Sequence, residues 1–302
     1  MDQTVTCQKS APVQVPVSVV IPCYRCENTI DEAVASVMQQ TALPAELILV
    51  EDCSADDGRT LARLQQIQTQ YGETVTINVL SQPSNRGPGE ARNAGWEIAT
   101  QRLLAFLDAD DTWHSEKLAW QSRLMLAHPE LSLSSHDTVI LERGEKLSGV
   151  PAAMKLQPIY LSDMLIRNRI ATRSVMLRTD IAQRFPLGLR CAEDYYLWLQ
   201  ILASGHLAAR LMHPLAASYK ADFGAGGLTG HLAAMHAGVQ QCFRMLHQER
   251  LLSLSQFRLA RTAETLKYWR RLLMLAMRRC TSSPTADPAM RKRDEAPQHL
   301  FK

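Results

Sequence analysis

Four short apolar runs, three of them followed by a stretch with helical spacing, constrain this chain more than any other feature. "VSVVIP" (17–22) precedes "TIDEAVASVMQQ", where Ile30, Ala33, Val34 and Val37 recur on one helical face and Thr29 with Glu32 has the pattern of a capping box. "ELILVED" precedes a helix expected near 57–70 carrying Leu61, Leu64 and Ile67; "VTINVLS" precedes "GEARNAGWEIAT"; "RLLAFLDAD" is the fourth run. Alternation of this kind predicts an α/β fold with a mostly parallel central sheet flanked by helices.

In such sheets, ligands bind in the crevice beyond the carboxyl ends of the strands. The first strand ends in Pro22-Cys23-Tyr24, the second in Glu51-Asp52 and the fourth in Asp108-Ala109-Asp110-Asp111. So much negative charge behind an apolar run is costly without a counter-charge. Asp–x–Asp supplies hard oxygen ligands that suit Mg²⁺ or Mn²⁺, above all when phosphates complete the coordination. Arg92, early in the third helix, is a candidate contact to a nucleotide or phosphate. Acids at strand ends also serve as turn and cap residues, so the three ends argue together rather than singly.

The second half is less regular. "SVMLRTDIAQRF" reads as a strand entering a helix, and "LRCAEDYYLWLQILASG" as a strongly apolar helix opened by Glu193 and Asp194, where the helix dipole favours acids. "YKADFGAGGLTG" (219–230) reads as a glycine-rich loop or lid. "CYRC" has the spacing of a redox or zinc half-site, but no second pair supplies the remaining zinc ligands. "NRGPGEARNAG" has neither a dinucleotide fingerprint nor a Walker lysine.

Charge divides the chain. Residues 231–302 carry 13 Lys and Arg against 5 Asp and Glu, whereas the first 230 carry 20 against 25. The expected organisation is a loose leader at 1–15, one α/β domain at 16–230, a basic helical extension at 231–280 and a disordered tail at 281–302. In the extension, Leu259, Leu266, Trp269, Leu273 and Met277 share a face, with Arg258, Arg261, Lys267, Arg271 and Arg278 largely elsewhere. Such a helix either packs on the domain or lies on anionic lipid. No run approaches the roughly 18 apolar residues of a membrane span, and the amino terminus lacks a signal-peptide pattern. Seven scattered cysteines fit reduced thiols. The expected location is cytoplasmic, peripheral at the inner face of the plasma membrane.

"VSVVIPCYRCENTIDEAVASVMQQT", "LILVEDCSADD", "NRGPGEARNAG", "FLDADDTWHSEKL" and "AEDYYLW" occur in an order that resembles the inverting glycosyltransferases of family 2, over roughly residues 16–200. The resemblance implies the GT-A nucleotide-diphospho-sugar transferase fold and a role for each matching position. Pro22 and Tyr24 would flank the base, Asp52 would accept a hydrogen bond from its imide, and Asp108, followed by Ala109, would lie near the ribose. Asp110 would hold the Mn²⁺ or Mg²⁺ bridging the donor phosphates, Asp194 would be the catalytic base, and Glu193 would orient the acceptor or the base. Glu51 and Ser115 depart from the residues common in the family, Asp and Pro.

The implied activity is metal-dependent inverting transfer, of hexosyltransferase type, from a nucleotide-diphospho-sugar, UDP or dTDP foremost. The acceptor would be a saccharide or lipid-linked hydroxyl in surface polysaccharide or glycolipid assembly, with no nucleic-acid partner. Two alternatives stand beside it. A sugar nucleotidyltransferase would carry a basic glycine-rich loop after the first strand, and "IPCYRCENTI" has none; a silent sugar-nucleotide-binding scaffold would have no need of both Asp110 and Asp194.

Overall fold

Strand β2 (Val13–Cys23) shows how the fold is built: Val17, Val19 and Ile21 face one apolar cluster and Val20 the other, all fully buried. A strand covered on both faces must be apolar on both, which is why it reads as a run rather than an alternation. The computed structural model describes residues 4–6, 13–142, 144–219 and 228–281.

In chain order, β1 (Thr4–Thr6) and β2 are followed by α1 (Ile30–Met38), β3 (Ala42–Glu51), α2 (Arg59–Tyr71), β4 (Thr76–Ser81) and α3 (Pro88–Ile98). Next come β5 (Leu103–Phe106), β6 (Asp111–Trp113), α4 (Lys117–Ala127), β7 (Leu131–Ile140), β8 (Ala153–Ile159) and α5 (Leu161–Ile166). A 3-10 turn at Thr172–Ser174 leads into β9 (Met176–Arg178), α6 (Glu193–Ala203), β10 (Leu207–Ser218), α7 (Leu228–Gln248) and α8 (Leu254–Thr281).

The strands form one sheet in the order β1-β8-β10-β7-β9-β5-β2-β3-β4, with β6 paired to β10. β5, β2, β3 and β4 run parallel, and β9 enters antiparallel between β5 and β7. The sheet is therefore mixed, with its parallel half where the sequence placed it. Helices α1, α2 and α4 cover one face and α3, α6 and α7 the other. Gly95 lets α3 approach closely: a Cβ there would sit 2.5 Å from Val20 Cγ1 and 3.0 Å from Val50 Cγ2.

Several local expectations differ. Thr29 caps α1 without a side-chain cap bond, and its hydroxyl instead donates to Cys26 O at 3.4 Å. Residues 180–185 are not helical; Asn93 bonds the Phe185 backbone through both ends of its amide, and Pro186 disfavours the helical region for Phe185. Thr4–Thr6, within the leader, pair with Ala153–Lys155. The glycine-rich segment and the tail lie largely outside the described residues.

Two compact units divide the chain, Met1–Glu264 and Thr265–Lys302. The first therefore includes α7, whose Cys242, Phe243 and Leu246 are buried in the same cluster as Trp198 of α6. In the second, Leu266, Trp269, Leu273 and Met277 are exposed. No helix among the described residues is long and apolar enough to cross a membrane.

Candidate active site

Because β5, β2 and β3 are parallel neighbours, their carboxyl ends open on one edge of the sheet. There a cleft of about 780 Å³ is lined by Pro22, Tyr24, Asp52, Asp108, Ala109 and Asp110, with Arg92 also in its wall. Asn85, Arg190 and Tyr219 also line it. Tyr24 is half exposed, and the Arg25 guanidinium lies 5.3 Å from its ring centroid. Arg25 and Cys53, at φ 49° and 50°, turn the chain sharply after β2 and β3.

Asp52 is almost fully buried and organises the adjoining loop. Its Oδ1 accepts from Arg86 N at 2.9 Å, and its Oδ2 from Gly87 N at 2.8 Å and Asn85 Nδ2 at 3.0 Å. Gly87, at φ 91°, makes the turn that presents these donors and starts α3. Glu51, one of the two departures from the family pattern, is tied to its own turn through the amides of Cys53 and Ser54.

Arg92 is buried, and its role follows from its partners. Its Nη2 lies 2.5 Å from Asp108 Oδ1 and its Nη1 3.5 Å from Glu193 Oε1. Burial works against its charge, but Asp108 and Glu193 outweigh this and hold the guanidinium protonated. Arg92 thus joins the acid segment after β5 to the start of α6, and its charge is already matched inside the protein.

Glu193 and Asp194 open α6 after Ala192, which takes a left-handed φ of 63°. Burial, reinforced by Asp194 and opposed by Arg92, pushes the Glu193 carboxyl up to about 7. Burial also raises Asp194, against Arg92 and two hydrogen bonds: Thr172 Oγ1 donates to Oδ2 at 3.0 Å and Tyr195 N to Oδ1 at 2.7 Å. Asp111 is pushed up to about 6 by burial and Asp108, offset by Arg173 and Ser218.

All seven candidates from the first half of the chain share one cleft, and Glu193 connects to it through Arg92. Asp110 and Asp108 present two neighbouring carboxylates, one of them already paired with Arg92. Among the described residues no group of three His, Cys, Asp or Glu could hold a metal by itself. The two carboxylates in the cleft wall fit an ion whose remaining ligands are phosphate oxygens of a bound molecule. Cys23 and Cys26 also line the cleft, with the Cys23 thiol pushed up by burial and by hydrogen bonding to Cys26. The sequence reading did not single out Asn85, Thr172 or Arg190; Asn85 opens "NRGPGEARNAG" and Arg190 lies beside "AED", whereas Thr172 has no local signal.

Residues 18–154 match the family described as Glycosyl transferase family 2. The chain is 30% identical over 193 residues, 64% of its own length and 72% of the relative's, to the UDP-Glc:alpha-D-GlcNAc-diphosphoundecaprenol beta-1,3-glucosyltransferase WfgD of Escherichia coli. It is 31% identical over 193 residues, 64% of its length and 74% of the relative's, to the putative teichuronic acid biosynthesis glycosyltransferase TuaG of Bacillus subtilis. Its fold is similar to that of S. aureus TarS 1-349 in complex with UDP-GlcNAc, with a TM-score of 0.57 at 20% identity over 75% of this chain and 65% of that one.

Proposed function

Since the chain belongs to glycosyl transferase family 2, has the GT-A fold and is a glycosyltransferase, we propose that it moves a sugar from a UDP- or dTDP-sugar, with inversion, to a hydroxyl of a lipid-linked saccharide. The product would be a step of surface polysaccharide or glycolipid assembly. The observation that carries this reading is the meeting of Tyr24, Asp52 and Asp108–Asp110 from three adjacent strand ends in one cleft. The names of WfgD and TuaG support the UDP-sugar donor, the lipid-linked acceptor and the polymer class.

In this reading Tyr24 packs on the base and Asp52, held open by Asn85 and the amides of Arg86 and Gly87, accepts from the base imide. Asp108, fixed by Arg92, faces the ribose, and Asp110 holds Mn²⁺ or Mg²⁺. A divalent ion there supplies Lewis-acid stabilisation of the diphosphate. Asp194 takes the proton of the acceptor hydroxyl, and Glu193 orients it. The basic C-terminal helices make a peripheral contact with anionic lipid, a reading supported by the charge of residues 231–302 and the exposed apolar side chains of α8.

Calorimetric titration of UDP, dTDP, GDP and CDP, with and without Mn²⁺, tests the donor site. Binding of a pyrimidine diphosphate only with metal is expected. No nucleotide binding under any condition, together with no transfer from a panel of nucleotide-sugars, would remove the reading.

A further inference from the structure

The 3-10 turn at Thr172–Ser174 lies 22 residues before Asp194 in Thr172, yet it touches both the base carboxylate and the acidic segment. Thr172, 7% exposed, donates its hydroxyl to Asp194 Oδ2 at 3.0 Å. With the Tyr195 amide on Oδ1, both oxygens are held and the plane of the carboxylate is set. The next residue faces the other way: Arg173 Nη1 lies 3.4 Å from Asp111 Oδ2, and its carbonyl accepts from Trp113 Nε1 at 2.8 Å. Ser174, fully buried, accepts at its carbonyl from Gln121 Nε2 of α4 at 2.9 Å and closes the turn on Ala171 O through its hydroxyl at 2.7 Å.

Each of the three residues thus has a separate anchor: α6, β6 and α4. The turn feeds β9, which is inserted between β5 and β7, so its place follows that of β5, the strand that leads into Asp108–Asp110. Nothing in the local sequence of α6 fixes where Asp194 stands relative to that strand. The turn, together with Arg92, provides the link.

We propose that the Thr172–Ser174 turn sets the position and orientation of Asp194 relative to the acidic segment at 108–111, with Thr172 as the positioning residue of the base. This rests on the assignment of Asp194 as base in the proposed function. During transfer the acceptor oxygen bonds to the anomeric carbon, the bond from that carbon to the leaving phosphate oxygen breaks with its electron pair kept by the diphosphate, and the hydroxyl proton passes to Asp194. Only the carboxylate lone pair aimed at the hydroxyl can receive that proton, and Thr172 determines which way it aims.

The groups facing Asp194 are Arg92 of α3, Asp108 after β5, Glu193 on its own helix, Cys242 of α7 and Thr172. Thr172 favours the ionised carboxylate, so its loss moves the acid limb of the pH–rate profile to higher pH. Thr172→Val keeps the shape and removes the donor; it should lower kcat about tenfold or more while donor KM and UDP affinity stay unchanged. Thr172→Ser should restore the rate and the profile. An unchanged kcat and pH profile in Thr172→Val would overturn the proposal, as would a serine variant as impaired as the valine one with losses that track melting temperature. Asp194→Asn measured alongside separates the two ideas: wild-type transfer there removes the base assignment and this proposal with it, whereas an inactive Asp194→Asn beside an unaffected Thr172→Val removes the proposal alone.

Discussion

Replacing Glu193 by Gln should flatten the pH dependence of folding by an amount set by the burial of this side chain. Glu193 is 11% exposed, and its carboxyl is raised from 4.5 to about 7, by burial first and by Asp194 second. At about 1.4 kcal/mol per tenfold change in proton affinity, its full ionisation costs the folded state on the order of 3 kcal/mol. Because the folded value is the higher one, this contribution is fully present below pH 4.5 and is lost as pH rises through 7. Asp111, raised to about 6, acts with the same sign in both proteins and cancels in the difference. The Gln amide retains an oxygen for Arg92. Urea unfolding at pH 5, 6, 7 and 8 reads the effect. With a slope of about 3 kcal/mol per molar for a domain of this size, the wild-type midpoint should fall roughly 1 M relative to the variant across that range. Midpoints that run parallel from pH 5 to 8 would refute the account of Glu193 as a desolvated acid.

Gly95→Ala forces a Cβ to within 2.5 Å of Val20 Cγ1 and should destabilise the protein by about 1–3 kcal/mol in urea unfolding. Arg190 lines the cleft, is exposed and makes no ion pair or hydrogen bond among the described residues. Arg190→Ala should weaken UDP binding about tenfold and leave uridine binding unchanged, as calorimetry would show. Anionic vesicles should co-sediment the protein at low salt and release it at high salt, and Trp269→Glu should prevent binding, since Leu266, Trp269, Leu273 and Met277 are exposed between cations on α8. Sedimentation indifferent to both changes would remove the lipid contact.

The parallel half of the sheet and the residues at its strand ends were legible because both depend on local pattern. Apolar runs and helical spacing specify α1 to α3 and β2 to β5, and the carboxyl-end rule then brings Pro22, Tyr24, Asp52 and Asp108–Asp110 to one edge without knowledge of any long-range contact. The capping box at Thr29 and the helix expected after β9 misled because hydrogen bonds from outside the local window compete: Thr29 turns to Cys26 O, and Asn93 of α3 holds the Phe185 backbone.

What tertiary structure alone decided is the identity of partners far apart in sequence. Arg92 suited a phosphate by sequence, and folding sets it in the cleft wall between Asp108 and Glu193, where burial strengthens its attraction to both carboxylates. Thr172 carries no local mark of function; it reaches Asp194 because β9 is inserted antiparallel between β5 and β7. Sequence period determines which face of an element is apolar, whereas the charge environment of a side chain is determined by which elements the whole sheet order makes neighbours.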